Sequence, residues 1–151
     1  MSNKPWLSQY QDGVPENVDT AWYESVTALF EDAVTKYADI PAFHNMGATI
    51  TYEELDILVT QFASYLQNDL NVKKGDRVAI MSPNLLQYPV ALFGILKAGG
   101  IVVNVNPLYT PRELEHQMKD SGAETIIIVE NFAHTLEEVL PQTPVKNIVI
   151  T

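Results

Sequence analysis

Four short β-branched apolar runs, each separated from the next by a helical pattern, predict an α/β fold: a parallel wound sheet flanked by helices. The runs RVAIM, IVVNV, TIIIV and NIVIT begin near residues 77, 101, 125 and 147. Their nearly continuous apolarity is that of strands buried on both faces. Right-handed crossovers through the intervening helices then align them in parallel. A small β-hairpin is predicted ahead of the sheet, because two short strand-like segments meet at Gly47.

Taken in order, residues 1–24 show no clean period. Trp6, Tyr10, Trp22 and Tyr23 stand there among Pro and Gly, which suggests an extended arm lying on a surface. Such aromatics either pack onto their own subunit or dock onto a partner subunit. A first helix runs from about Ser25 to Ala38, with Val26, Leu29, Phe30, Ala33, Val34 and Tyr37 on one apolar face. Pro41–Met46 and Ala48–Thr51 form the hairpin. Thr51 and Glu54 make a capping box that opens a long helix, whose face is Leu55, Leu58, Val59, Phe62, Ala63, Leu66 and Leu70.

Lys73 to Asp76 is a turn into the strand Arg77–Met81. A helix follows from about Leu85 to Ala98, with Gly99-Gly100 as its C-terminal cap, then a strand from Ile101 to Val105. Thr110, Pro111 and Glu113 supply an N-cap, a proline at the first helical position and a capping glutamate. That helix reaches Ser121 and ends at Gly122. The strand Thr125–Val129, a helix over Phe132–Leu140 and the strand Asn147–Thr151 complete the pattern. A chain stopping on a buried-type strand reads as a fragment of something longer.

Composition narrows the function classes. With 151 residues and 46% apolar content the chain is one globular domain's worth, able to bury about two thirds of its unfolded surface. It has no Cys, which excludes a disulfide scaffold, thiolate zinc sites and a Cys nucleophile. A net charge of −10 argues against nucleic acid as a partner. It also sits awkwardly with a complete site for ATP, whose phosphates call for cations. No secretory signal pattern opens the chain. Leu85 to Val105 carries only Lys97 as a formal charge, but Pro89, Gly99-Gly100 and Asn104 favour a buried helix and strand over a membrane span.

Residues that could carry chemistry are sparse. None of the seven glycines falls in a phosphate-loop pattern, and Gly99-Gly100 follows a helix instead of preceding one. His44, His116 and His134 are scattered, without metal-ligand spacing. Ser82 lacks the flanking glycines of a nucleophile elbow and reads, with Asn84, as a helix cap. Glu113, Glu115, Glu137 and Glu138 read as solvated helix faces, with Glu115 and Lys119 paired at i, i+4. The segment Asn104–Thr110 lies at the carboxyl end of what reads as a central strand, where wound sheets present ligand sites. It is either a turn that caps the next helix or a ligand contact.

The run PNLLQYPVALFGILKAGGIVVNVNPLYTPRELEHQ at 83–117 resembles the N-terminal part of bacterial long-chain fatty acid–CoA ligases, members of the adenylate-forming (AMP-binding) superfamily. The likeness extends to YADIPAFHNMGATITYEEL at 37–55, VKKGDRVAIMSPN at 72–84 and DSGAETIIIVENFAHTLEEV at 120–139.

The resemblance implies an enzyme that forms acyl-adenylate from a long-chain fatty acid and Mg·ATP, then transfers the acyl group to CoA with release of AMP. The family's Ser/Thr/Gly-rich pyrophosphate loop and its catalytic Lys have no match here. No catalytic, cofactor-binding or metal residue is therefore carried onto a position of this chain, and ATP, Mg²⁺ and CoA are not expected to bind it specifically. Residues 1–24 would be an arm, with a homodimer contact as one role. Residues 25–151 would be the first subdomain of the AMP-binding domain, truncated at its C-terminal end. The implied location is cytoplasmic, with peripheral contact at the inner membrane. Another adenylate-forming ligase, or a stand-alone interaction module without catalysis, are the alternatives.

Overall fold

The computed structural model describes residues 4–151. Its elements are α1 (Val26–Tyr37), the hairpin strands β1 (Pro41–Asn45) and β2 (Ala48–Thr51), and α2 (Tyr52–Asn68). Then come β3 (Arg77–Met81), α3 (Gln87–Lys97), β4 (Ile101–Val105), α4 (Pro111–Ser121), β5 (Thr125–Ile128), α5 (Ala133–Val139) and β6 (Asn147–Ile150). Strands β3 to β6 form one parallel sheet in the order β4-β3-β5-β6, and β1 pairs antiparallel with β2.

Local signals set these boundaries. The Thr51–Glu54 and Thr110–Glu113 capping boxes both form, and Ser25 caps α1 by accepting from Ala28 N–H. Helix α3 ends in a Schellman motif: Gly100 N–H bonds Ile95 C=O at 2.9 Å and Gly99 N–H bonds Leu96 C=O at 3.0 Å. Gly99 can close it because it takes φ +89°. The hairpin turns on Met46 and Gly47, both at positive φ, the conformation a two-residue hairpin loop requires.

Three apolar clusters hold the layers together. On one face of the sheet, Val78, Ile80 and Ile127 pack under Leu66 of α2 and Ile95 of α3. On the other, Ala79, Met81, Ile126 and Ile128 pack under Leu114 and Met118 of α4 and Leu136 of α5. The third joins Phe30 of α1 to Leu55 and Val59 of α2, with Phe30 stacked on Phe93 at 4.2 Å between ring centroids.

The structure corrects several sequence-based expectations. Only β3 and β5 are interior strands; β4 and β6 are edges, and Ile101, Ile148 and Ile150 are exposed. The apolar runs alone do not distinguish centre from edge. Helix α3 begins at Gln87, not Leu85, and its N-cap Leu86 makes no side-chain cap. Ser82 instead donates to Pro83 C=O at 2.9 Å, so the Ser82–Asn84 cap does not form. Of the apolar face read for α1, Phe30 is buried while Val26, Leu29 and Tyr37 are exposed.

The arm is not simply extended, since Pro5–Gln9 forms a 3-10 turn. Its aromatics divide: Trp6 is 53% and Trp22 77% exposed, while Tyr23 is half-buried against α1.

Candidate functional site

A wound sheet presents its crevice where successive connections diverge to opposite faces. Here β3 leads into α3 on one face and β5 leads into α5 on the other, while β3 and β5 are neighbours. The switch point therefore lies between their carboxyl ends. On the α2–α3 side of that point lies an apolar groove of about 690 Å³. Met46, Ala48 and Ile50 of the hairpin form one wall, Leu58 and Phe62 of α2 a second, and Leu86, Val90 and Ala91 a third. Ile127, Val149 and Ile150 from the sheet close it, and none of the lining residues is charged.

The turn that follows β4 is built differently. Tyr88 Oη donates to Asn104 Oδ1 at 3.0 Å and Gln117 Nε2 donates to Asn104 C=O at 2.8 Å. Asn106 Oδ1 accepts from Leu108 N–H at 3.0 Å, an Asx turn. Thr110 N–H then donates to Glu113 Oε2 at 2.8 Å. The hydrogen bonds of Asn104, Asn106 and Thr110 thus shape the turn and open α4, while Leu108 is left 80% exposed at its tip. Because β4 is the edge strand beside β3, the turn follows an edge strand and not the central one that the sequence predicts. Gln117 Oε1 is buried without a hydrogen-bond partner.

The capping box carries the clearest electrostatic signature. Hydrogen bonds from the Thr110 backbone, and then from its hydroxyl, hold the Glu113 carboxyl below its ordinary range. A carboxylate with a depressed folded pKa adds stability above its unfolded pKa and loses it as pH falls through the folded value. Thr110→Ala should cost about 1 kcal/mol at neutral pH. Glu113→Gln, which leaves no carboxyl to titrate there, should flatten the acid limb of the stability profile, which urea titrations at a series of pH values would show. An unchanged acid limb would remove Glu113 as its source.

The remaining candidates stay apart. His44 bonds Thr49 across the hairpin at 2.7 Å, His116 lines a shallow polar depression with Arg112 and Asp120, and His134 sits beside Thr135. Among the described residues no group of three or more His, Asp or Glu could hold a metal ion. Five of the nine cations are paired among the described residues: Lys4, Lys36, Lys97, Lys119 and Lys146 with Glu16, Asp32, Asp56, Glu115 and Glu124. Lys73, Lys74 and Arg77 lie at the amino end of β3, opposite the groove. Glu137 and Glu138 lie on α5. The groove, lined by no charged side chain, offers nothing to hold a Mg·ATP phosphate chain, and no chemical step is assigned to it or to the turn. No helix among the described residues is long and apolar enough to cross a membrane.

Sequence reasoning missed the groove. Leu58 and Phe62, read on the buried face of α2, both line it, with Leu58 41% exposed.

Comparison with known proteins decides the family. The AMP-binding enzyme model matches residues 30–151. The chain belongs to the AMP-binding enzyme family. It is 61% identical over 148 residues to a long-chain-fatty-acid–CoA ligase of Salmonella typhimurium and 59% identical to one of Escherichia coli. These matches cover 98% of this chain but 26% of each relative, so the chain spans about a quarter of their length. Solved structures share the fold. A long-chain-fatty-acid–CoA ligase from Archaeoglobus fulgidus matches with TM-score 0.78 at 23% identity, over 95% of this chain and 30% of that one. An anthranilate–CoA ligase in complex with anthranoyl-AMP matches with TM-score 0.81 at 23% identity, over 85% and 25%.

Proposed function

We propose that this AMP-binding family chain is the N-terminal part of an ATP-dependent long-chain fatty acid–CoA ligase. The observation that carries the reading is the 61% identity to such a ligase along nearly the whole chain. In the parent enzyme, the fatty acid carboxylate attacks the α-phosphate of Mg·ATP, expelling pyrophosphate and leaving acyl-adenylate. The CoA thiol then attacks the acyl carbon and releases AMP. Within that reaction residues 25–151 serve as scaffold: the first wound subdomain and one wall of the active-site groove. The phosphate-binding cations belong to parts of the enzyme outside these residues, in keeping with the net charge of −10 here.

Residues 1–24 are the arm, with homodimer contact as their role, and the parent acts in the cytoplasm with peripheral contact at the inner membrane. Support for the dimer contact comes from the exposed Trp6, Tyr10 and Trp22, since exposed aromatics are typical interface anchors. Titration calorimetry of the 151-residue chain with Mg·ATP should show no saturable uptake; micromolar saturable binding would overturn the scaffold reading.

A further inference from the structure

We infer that residues 5–22 are a releasable strap, latched to the body of the molecule by the trio Tyr23, Asp32 and Lys36. The hydrogen bonds of the strap are local: Tyr10 N–H to Leu7 C=O, Val14 N–H to Gln11 C=O, and Ala21 N–H to Asp19 Oδ1. Glu16 pairs with Lys4, just ahead of the strap, and that pair does not reach the body either. Among the described residues, the one hydrogen bond that ties positions 4–24 to the rest of the chain runs from Tyr23 Oη to Asp32 Oδ2, at 2.5 Å. Asp32 stands on α1, and Lys36 one turn later donates to the same oxygen at 2.7 Å. One carboxylate oxygen thus serves both donors, and Tyr23 is half-buried while Trp22 beside it is open to solvent.

The chemistry suits a latch. A hydrogen bond to an ionised acceptor is stronger than a neutral one, and the Lys36 ammonium, followed by the Tyr23 hydroxyl, holds the Asp32 carboxyl below its ordinary range. The phenol in turn keeps its proton, its pKa raised by the bond it makes to Asp32. At neutral pH the trio is therefore a charged acceptor between two donors. Being solvent-accessible, it can open without unpacking the core. What it restrains is a segment carrying Trp6, Tyr10 and Trp22, all exposed. The inference does not depend on the ligase reading.

The chain's two tryptophans, Trp6 and Trp22, both lie in the strap, so tryptophan fluorescence reports on it alone. Tyr23→Phe keeps the ring and removes the donor. Its time-resolved anisotropy should show the nanosecond local component, typical of loops and termini, growing about twofold in amplitude. Asp32→Ala should do the same, with the thermal unfolding of the body followed by circular dichroism to confirm that each variant is folded. Tyr10→Phe, which alters no contact with the body, should leave the decay as it is. An unchanged decay in folded Tyr23→Phe and Asp32→Ala would overturn the latch, and so would an equal change in Tyr10→Phe.

Discussion

Ile80→Ala should lower the unfolding free energy of the chain by about 2–5 kcal/mol. Ile80 is the fourth residue of the interior strand β3, paired with Asn104 of β4 on one side and Ile127 of β5 on the other. It is 1% exposed and packs with Leu66 of α2 and Ile95 of α3. Shortening it leaves a cavity between a sheet and two helices, none of which can close in without disturbing the strand register. The lost transfer energy and the cavity term then add. Ile148→Ala makes the contrast. It is the same substitution in the same sheet, but on edge strand β6 at 41% exposure, and it should cost roughly 1 kcal/mol or less. Urea titrations would separate the two as different midpoint shifts at an unchanged slope. Equal losses would contradict the order β4-β3-β5-β6.

That contrast also marks what the sequence could and could not reveal. Strand positions were legible because each run is bounded by its own local chemistry: the Lys73–Asp76 turn before β3, Gly99-Gly100 before β4, and Gly122 after α4. Both capping boxes were legible for the same reason, since Thr51 with Glu54 and Thr110 with Glu113 need only three-residue spacing. Strand order was not. IVVNV reads as buried as RVAIM, yet the long-range pairing that puts β5 between β3 and β6 leaves β4 at an edge. The same distance in sequence hides the groove, which draws on the hairpin, α2, α3, β5 and β6.

Candidate residues followed the same division. The roles of Asn106 and Thr110 are local turns, whereas the Tyr88–Asn104–Gln117 linkage joins α3, β4 and α4 and has no sequence signature. The family was legible throughout, because the resembling segments span nearly the whole chain.

Gly94→Val should destabilise the helical layer by overpacking. Gly94 lies on α3 against α2, where a Cβ would stand 2.7 Å from Phe62 Cδ1 and 3.4 Å from Phe62 Cβ. Two opposing effects meet there. Alanine would improve helix propensity by about 1 kcal/mol over glycine and so offset part of the clash. Valine gives back much of that gain, because its branched Cβ is stiff in a helix, and it brings two further methyl groups to the ring. Overpacking then decides the outcome, at a loss of about 1–3 kcal/mol. Phe62 is only half-buried and lines the groove, so its ring can move outward, but doing so gives up its packing under α3. Pairing Gly94→Val with Phe62→Ala tests the assignment. The double variant should be less destabilised than the sum of the single ones, with a coupling of about 1–2 kcal/mol in a denaturant double-mutant cycle. Strict additivity would mean that the α2–α3 approach is not set by the ring of Phe62 against the bare backbone of Gly94.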